Sequence, residues 1–530
     1  MKEITVQRTY EIIDKMKSTN TTGFDAISSR TIKMVPEITA ICLTHAINCM
    51  IRTQTFPEVM KITRILPITK PKKNKNLEES QRPKANLHTF EKVIEQYLKE
   101  EIMEFLEENN VILEQHHGGI PGHSTLTAKS ILDYLSSKAI DKDNLAVIIS
   151  SDLSSAFDLV DHKILLKKLN HYGIKDQENK QIQSFLMNRT QYTKIQNKRS
   201  KITVCEPSSV IQGSKLSGLL YILYTNEVPI LDRLLEDQEF MQKNLNMDRM
   251  DRSKIKQETV NFIDDSNSIV EFEDEEEANE YVNIFFKVLR IYYSTMKLKL
   301  NDEKTQLLVV RRPNKNKAAN TIKLETEKKP VIPTEQIKIL GWHVNQNMNM
   351  DSNLRVVIQQ TNKLLNSVRN FSQYMNFKTR TKFARSYILS RIYYGLPCYA
   401  GERLVTKNQL HSLIMKVCRW AKMSYCFKQS VSQICKSLKI ETPEQSIKKQ
   451  SLLFIHKILS KRKPRQVCTK IRFPRSRAHA KLSLKFKHSG SKFERTTISQ
   501  CIQIYNTIPD DVKKLSIKQF KDQLKKMIIS

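Results

Sequence analysis

The chain has 530 residues, 39% of them hydrophobic, and its 88 lysines and arginines against 55 aspartates and glutamates give a formal net charge of +33. This length and apolar content can support two to four folded cores, which argues against a wholly disordered protein. The excess of positive charge predicts a polyanionic partner, nucleic acid before acidic membrane, and disfavours a small neutral ligand.

Cysteine spacing and hydropathy narrow the class further. The nine cysteines contain no CxxC pair, so the sequence offers neither a zinc knuckle nor a disulfide framework, and it favours a reducing compartment. The longest weakly charged stretch, Ile38 to Ile51, is too short to span a bilayer, and the N-terminus has no basic and then apolar signal. We therefore expect a soluble protein with no membrane partner, located in the nucleus, the cytoplasm or both.

The first part of the chain alternates helical and loop patterns. Apolar spacing predicts helices over residues 1–17, 38–50 and 87–106. Between the last two, 61–75 is predicted to be a β-branched strand ending in a lysine-rich loop, either a solvated surface or a finger that grips phosphate. Two adjacent histidines follow, His116 and His117; because sequence neighbours rarely point the same way, we predict a structural role for them rather than metal binding.

A continuous apolar run of strand length, 145–151, ends at Asp152. This pattern is typical of a buried central strand with a carboxylate at its tip, where a site would lie. The next residues turn into a helix that Asp158 or Asp161 can cap and Gly173 can end. Paired strands are predicted at 190–195 and 201–205.

Two adjacent carboxylates, Asp264 and Asp265, interrupt the apolar run VNFIDDSNSIVEF. Side by side in a tight turn they repel each other, at a cost of about a kcal/mol or more when they are partly desolvated. The turn is therefore either a hydrated hairpin turn or a site where a cation lies between the carboxylates. Before it, 231–258 is highly charged and is predicted to be a surface insertion, partly helical.

The remaining elements are predicted from periodicity and charge. Residues 278–296 form an amphipathic helix, 297–300, 305–310 and 337–344 form strands, and the chain is helical beyond them. The last segment, 461–530, has 19 lysines and arginines against 4 acidic residues, a density that favours contact with phosphates.

Taken in order, these segments resemble reverse transcriptases, specifically those of non-LTR (jockey-like, LINE-type) retrotransposons. The resemblance rests on the finger strand with its Arg82-Pro83, the segment from Asp152 through Phe157 to the helix that follows, the loop of Gln212, Gly213 and Ser214, and the Asp-Asp hairpin. It continues through LKLNDEKTQLL, IKILGWHV and a tail from 503 to 524. Each motif is modest alone, but their order is specific.

The resemblance implies an α+β fold with the right-hand architecture of polymerases. It predicts N-terminal helices and fingers over 1–143 and a palm with an antiparallel sheet over 144–346. The palm would carry a finger insertion at about 161–201 and the charged surface insertion at about 231–258. A helical thumb over 347–425 and a basic α-helical nucleic-acid-binding segment over 426–530 complete the expected arrangement.

The resemblance also implies the chemistry. Asp152, Asp264 and Asp265 would be the catalytic residues and the ligands of two Mg²⁺ ions, with Mn²⁺ as the alternative metal, since nucleotidyl transfer uses two divalent cations clamped by carboxylates. Phe157 would exclude a ribose 2′-hydroxyl and so select dNTPs. The other nucleotide-binding residues implied are Lys70, Arg82, Gln212, Gly213, Ser214 and Lys304, the last as the acid for departing pyrophosphate.

The expected partners are an RNA template, a DNA primer or target and dNTPs. In the family an endonuclease precedes the segment that carries these motifs. This sequence shows no such endonuclease segment, so we expect a separate endonuclease to nick the target site. Departures from the family pattern at Ile211, Ser217-Gly218 and Ile263 remove no ligand or charge. The main alternative is an inactive or co-opted retroelement-derived protein that binds RNA without polymerising. A maturase or telomerase-like enzyme fits the tail poorly.

Overall fold

The computed structural model describes residues 1–70, 74, 76–196, 198–205, 208–253, 255–312, 322–327, 329–423, 430–473, 481–485 and 491–529. Parts of the predicted lysine-rich loop and of the basic C-terminal segment lie outside these residues. Where the structure describes the chain, helices and small sheets alternate, which confirms the α+β class. None of the described helices is both long and apolar enough to cross a membrane.

Helices occur along the whole described chain. In sequence order they are α1 (Val6–Lys15), α2 (Ser29–Ile32), α3 (Pro36–Thr53), α4 (Thr89–Glu108), α5 (Thr125–Asp141), α6 (His162–His171), α7 (Asp176–Leu186), α8 (Lys215–Tyr224), α9 (Gln238–Leu245), α10 (Glu275–Thr295), α11 (Asp351–Ser372), α12 (Phe377–Phe383), α13 (Ser390–Ile392), α14 (Leu404–Lys422), α15 (Val431–Ser437), α16 (Pro443–Lys461), α17 (Arg465–Cys468), α18 (Ser491–Glu494), α19 (Thr497–Tyr505), α20 (Asp510–Lys513) and α21 (Ile517–Ile529).

The strands are shorter and fall mostly in the first two thirds of the chain. They are β1 (Ile62–Thr69), β2 (Gln81–Asn86), β3 (Leu145–Ser151), β4 (Leu153–Ser154), β5 (Thr190–Ile195), β6 (Lys198–Arg199), β7 (Thr203–Val204), β8 (Lys256–Phe262), β9 (Asp265–Phe272), β10 (Lys299–Leu300), β11 (Gln306–Val310), β12 (Gln336–Ile339), β13 (Trp342–Asn345), β14 (Ile471–Arg472) and β15 (Ser483–Leu484).

The chain forms two compact units. The first comprises Met1–Gly119, Leu153–Val228 and Leu289–Asn301. Its main sheet is built on β1, which pairs antiparallel with β2 and parallel with β5, while β6 and β7 both pair antiparallel with β5. Helix α4 packs against α1 and α8, and α6 packs against α7 and α8. The predicted strand pair at 190–205 is confirmed.

The second unit comprises Ile120–Asp152, Pro229–Val288 and Asp302–Ser530. Its four-stranded antiparallel sheet has the order β11-β3-β9-β8, so β3 is a central strand. The strand is buried along nearly its whole length because α5 packs on it, and its apolar run LAVIISS suits burial on both faces. This confirms the predicted central strand at 145–151.

The C-terminal tail of the second unit is folded into its helical part. Helix α16 packs against α19 and α21, and the His456 ring of α16 stacks on Phe520 with ring centroids 3.7 Å apart. The His456 Nδ1 atom lies 3.1 Å from the Tyr505 hydroxyl. Burial of these aromatic side chains explains why the tail motif from 503 to 524 carries apolar residues at helical spacing.

Two predicted elements are corrected. The segment 337–344 is not one strand but the β12–β13 hairpin, because Leu340 and Gly341 adopt φ angles of 48° and 91° and reverse the chain. The charged stretch 231–258 is partly helical, as predicted, because it contains α9, but it is not surface throughout: its last three residues begin β8, and Leu235 and Met241 are fully buried.

Candidate active site

The turn between β8 and β9 presents two carboxylates. Phe262 pairs with Asp265, so the turn consists of Ile263 and Asp264 alone. Ile263 has a φ of 60°, a conformation that a β-branched residue adopts only at a cost of about 1–3 kcal/mol. The paired strands on either side hold the strained residue in place. The hairpin therefore fixes the backbone positions of Asp264, whose side chain is exposed, and Asp265, whose side chain is half-buried.

The register of the sheet brings Asp152 beside this turn. Ser151 at the end of β3 pairs with Ser266 of β9 in an antiparallel ladder. Continued by one position, this register sets Asp152 opposite Asp265. Directly opposed residues of an antiparallel pair have β-carbons about 4.5–5.5 Å apart. The sheet thus assembles carboxylates from two strands that are more than one hundred residues apart in sequence.

The electrostatics of Asp265 report this crowding. Burial, followed by the negative charges of Asp264 and Asp152, raises the pKa of Asp265 to about 6. The cations of Lys304 and Lys338 oppose this shift. The three carboxylates are therefore within electrostatic reach of one another, and their mutual repulsion is a cost that a bound cation would remove.

Lys304 is already engaged at the site. Its Nζ atom lies 3.0 Å from the Asp152 Oδ1 atom, and the side chains are 61% and 33% exposed, respectively. Lys338, on β12, was not singled out from the sequence, because no local pattern links it to the hairpin. Its backbone N–H donates to the Gln306 Oε1 atom at 3.0 Å, which joins β12 to β11.

The donor set suits a hard divalent cation. All three side chains offer oxygen ligands only, the chemistry that Mg²⁺ prefers. Among the described residues, however, no group of three or more His, Cys, Asp and Glu side chains is arranged closely enough to hold a metal ion by itself. Mg²⁺ is commonly held by one or two protein carboxylates, and water and substrate phosphates complete its shell.

Removing the charge of Asp265 is expected to stabilise the metal-free protein. Because its pKa is raised in the folded state from 3.8 to about 6, ionisation costs folding free energy above about pH 6 and nothing below about pH 4. The Asp265→Asn variant should therefore be more stable than the natural chain by up to about 2 kcal/mol near pH 8, and the gain should fade toward pH 4. Chemical denaturation with a chelator at both pH values measures this, and a gain of equal size at both would contradict it.

Polar residues behind the carboxylates were missed by sequence reasoning. Strand alternation puts Asn267 of β9 on the same sheet face as Asp265, opposite Ser150 of β3. Asn267 is 1% exposed, and its Oδ1 atom has no hydrogen-bond partner among the described residues. On the other face, the Ser266 hydroxyl donates to Asn261 Oδ1 at 2.8 Å. The available signal was the run of polar residues SNS inside an otherwise apolar strand.

The first unit contains the remaining predicted residues. The half-buried Phe157 ring stacks on the buried Tyr221 ring of α8, with centroids 4.9 Å apart and an interplanar angle of 13°. The Phe157 carbonyl accepts a hydrogen bond from the Val210 backbone N–H at 2.8 Å. The stacking contact with Tyr221 and the backbone hydrogen bond from Val210 thus fix the position of this ring.

The predicted QGS loop is anchored to β2 and α4. The Gln212 carbonyl accepts from the Ala85 backbone N–H at 3.1 Å, and Gly213 has a φ of 118°, where a β-carbon would lie 3.1 Å from the Ala85 carbonyl oxygen. The Ser214 side chain caps α8 by accepting from the Ser217 N–H at 3.1 Å and donates to the buried Glu95 carboxylate. Gly213 and Ser214 therefore shape the loop.

Lys70 and Arg82 lie at the β1–β2 hairpin. Arg82 is exposed and pairs with Ile68, while the Lys70 backbone N–H donates to the Ser80 carbonyl at 2.8 Å. The hairpin therefore presents two cations at one end of the sheet of the first unit. Lys70 is followed by residues that lie outside the described part of the chain, so the rest of the predicted finger loop is not described.

A buried ion pair that the sequence did not indicate supports this unit. Arg189 donates to Glu91 on α4 at 2.5 Å, and both side chains are at most 5% exposed. Glu95 lies one turn further along α4 and is fully buried. Burial is the main cause that raises the pKa of the Glu91 and Glu95 carboxyls. The positive charge of Arg189 opposes the shift, but this one guanidinium is shared between the two acids.

A family model described as "Reverse transcriptase (RNA-dependent DNA polymerase)" matches residues 70–344, more than half of the chain. This segment contains every site residue discussed above. Among curated proteins, the chain is 28% identical over 235 residues to the probable RNA-directed DNA polymerase from transposon BS of Drosophila melanogaster. That match covers 43% of this chain and 25% of the relative.

A second relative is the RNA-directed DNA polymerase from mobile element jockey of Drosophila funebris, 27% identical over 226 residues, covering 43% of this chain and 24% of the relative. The matched segment thus spans about a quarter of these relatives. A solved structure of telomerase from Candida albicans with a TWJ fragment of telomeric RNA is similar at 12% identity, with a TM-score of 0.37 and coverage of 74% and 68% of the two chains. That score is too low to establish a shared fold. The predicted resemblance to jockey-like elements is confirmed by the curated relatives.

Proposed function

Because the chain belongs to the reverse transcriptase (RNA-dependent DNA polymerase) family, we propose that it is the RNA-directed DNA polymerase of a non-LTR mobile element. It extends a DNA primer with dNTPs on an RNA template. The observation that carries the proposal is the convergence of Asp152, Asp264 and Asp265 at the ends of two central strands of an antiparallel sheet, where burial and then their mutual repulsion raise the pKa of Asp265.

The roles proposed for the carboxylates follow from their positions. Asp152 and Asp264 would hold Mg²⁺ between them, and Asp265 would support the same ions. When bound, the metal lowers the pKa of the primer hydroxyl and neutralises triphosphate charge. Lys304 would donate a proton to a departing pyrophosphate oxygen; the 3.0 Å distance from its ammonium to the Asp152 carboxylate supports this role.

The residues of the first unit are proposed to bind the incoming nucleotide. Arg82 and Lys70 would contact the triphosphate as a fork and a point charge, respectively. The loop of Gln212, Gly213 and Ser214 would line the nucleotide by its backbone, since the Ser214 hydroxyl is occupied by Glu95. RNA template, DNA primer and dNTPs are the partners this proposal requires, and a separate endonuclease would nick the target.

The proposal includes the right-hand arrangement. Fingers over 1–143, palm over 144–346, thumb over 347–425 and a basic segment over 426–530 remain the subdivision we favour. The antiparallel sheet order β11-β3-β9-β8, with the carboxylates at the end of its two central strands, supports the palm assignment.

The experiment is primer extension by the full chain on poly(rA)/oligo(dT) with dTTP and Mg²⁺. Extension in Mg²⁺ and its loss on chelation are expected. The competing function, an RNA-binding protein that no longer polymerises, predicts tight binding of the same substrate with a steep salt dependence and no incorporation. Three intact carboxylates at the ends of two neighbouring central strands favour the polymerase.

Phe157 is expected to set the selection of deoxyribonucleotides. Replacing the ring with the smaller Val should open space for a 2′-hydroxyl, and steric discrimination of this size is worth about 10–200-fold. The ratio of rTTP to dTTP incorporation by Phe157→Val should rise by a factor in that range. Tyr221→Phe is the matched control, because it keeps the stacked ring. An unchanged ratio in Phe157→Val would remove this residue from the nucleotide site.

A further inference from the structure

A fifty-residue stretch of the second unit carries charge of one sign only. Residues 352–401 contain eight lysines and arginines and no aspartate or glutamate. The stretch includes most of α11, the connection to α12, and the helical turns that follow. Such a density of uncompensated positive charge attracts a polyanion.

Three aromatic rings are exposed where α11 ends and α12 begins. Phe371 is 65% exposed, Tyr374 83% and Phe377 46%. Three large exposed rings within seven residues are unusual on a folded surface, since aromatic side chains normally supply core or interface area. Their exposure therefore indicates a surface that binds another molecule.

The turn that carries these rings is held by ordered contacts. Arg380 donates to the carbonyls of Ser372 and Met375, and its Nε atom donates to the Ala421 carbonyl of α14 at 3.0 Å. Asn376 caps α12 by accepting from the Thr379 N–H at 2.9 Å. The backbone between the two helices is therefore fixed, and a ligand would not have to order it.

The cations beside the rings are available. Arg369, Lys378 and Lys382 are exposed, and none of them forms an ion pair with a carboxylate of the described residues. Lys378 and Lys382 are four residues apart on α12 and so lie on one face of that helix. Lysine is depleted at protein–protein interfaces, so lysines among the exposed rings favour a nucleic acid over a protein partner.

We propose that this surface, formed by Arg369, Phe371, Tyr374, Phe377, Lys378 and Lys382 and called the aromatic turn, binds single-stranded nucleic acid. Bases stack on the exposed rings and phosphates lie against the three cations, the combination used by proteins that bind single strands without sequence preference. A duplex offers no unstacked base faces to the rings, so the aromatic turn distinguishes single strands from duplexes. The binding needs no polymerisation and is separate from the proposed reaction.

The test is fluorescence anisotropy of labelled oligo(U), oligo(dT) and an RNA duplex with the full chain, without dNTPs. Stacking of one base is worth roughly five- to 150-fold in affinity, so Tyr374→Leu is expected to weaken oligo(U) binding by about tenfold and to leave duplex binding unchanged. Tyr374→Trp should retain the affinity of the natural chain. Leu404→Ser, at a residue 72% exposed elsewhere in the same unit, is the control.

A charge variant probes the same surface without touching the rings. Lys378→Gln/Lys382→Gln should reduce the slope of log affinity against log salt by about 1.4 for single strands, since each phosphate contact contributes about 0.7. If the charge variant loses affinity for oligo(U) alone, the aromatic turn binds RNA strands. If it loses affinity equally for oligo(dT), the aromatic turn binds single-stranded DNA as well.

The proposal is overturned if Tyr374→Leu, with a thermal melt like that of the natural chain, binds oligo(U) normally, or if it loses duplex binding by the same factor. Asp264→Asn should bind oligo(U) normally. Loss of polymerisation and loss of this binding are thus measured separately.

Discussion

Replacing Asp264 with asparagine should reduce primer extension on poly(rA)/oligo(dT) by about a thousandfold, because the carboxylate would hold a metal ion whose stabilisation of transition-state charge is worth several kcal/mol. The substitution keeps the shape of the side chain and removes its charge. Because Asp264 is exposed in a two-residue turn and its charge repels that of Asp265, the substitution should not destabilise the fold. Single-turnover incorporation of dTTP measures the effect.

The matched control for this prediction is Asp522→Asn on α21. It removes one carboxylate from an exposed position of the same unit, where Asp522 pairs only with Lys525 at 2.9 Å among the residues that the structure describes. Its activity should equal that of the natural chain. Comparable losses in the two variants would show that net charge, and not the hairpin carboxylate, governs the rate.

The second large effect concerns stability. Replacing Arg189 with methionine leaves the Glu91 carboxylate buried without its counter-ion, which typically costs about 3–5 kcal/mol. Burial raises the pKa of Glu91 to about 8, so below that pH a proton can neutralise the carboxylate: the destabilisation should be largest above about pH 8 and should shrink as the pH falls below it. Chemical denaturation at several pH values gives the free energy of unfolding.

A double variant isolates the ion pair from the packing around it. Arg189→Met/Glu91→Leu removes both charges and fills similar volume, so it should recover most of the lost stability. If the double variant is as unstable as the single one, the arginine contributes through its stem and its bond to the Phe185 carbonyl, and the pair itself matters little.

Local sequence patterns were sufficient for the centre of the site. The apolar run at 145–151 gave β3 its bounds because a strand buried on both faces has no polar interruption. The Asp-Asp turn could be predicted from the β-branched residues that flank it. The structure adds the antiparallel register between β3 and β9, which brings this turn beside Asp152. The prediction that Asp264 bridges the metals more directly than Asp265 stays a prediction.

The rest depends on contacts between residues distant in sequence. Glu91 and Arg189 are 98 positions apart, and neither lies in a pattern that marks a buried charge. Lys338 acts on Asp265 only because β12 joins β11 through Gln306. The β12–β13 hairpin was missed because the positive φ of Leu340 is unusual for a branched apolar residue, so the sequence carries only Gly341 as a turn signal.

The most direct test of the central claim, that Asp152 and the Asp264-Asp265 turn form one cation site, is iron-mediated backbone cleavage. Fe²⁺ with ascorbate and peroxide cuts a chain close to where the ion is bound, and excess Mg²⁺ competes with it. We predict simultaneous cuts near residues 152 and 264, both suppressed by Mg²⁺ and both lost in Asp264→Asn. Cleavage at only one of the two positions, or cuts that persist in Asp264→Asn, would contradict a shared site.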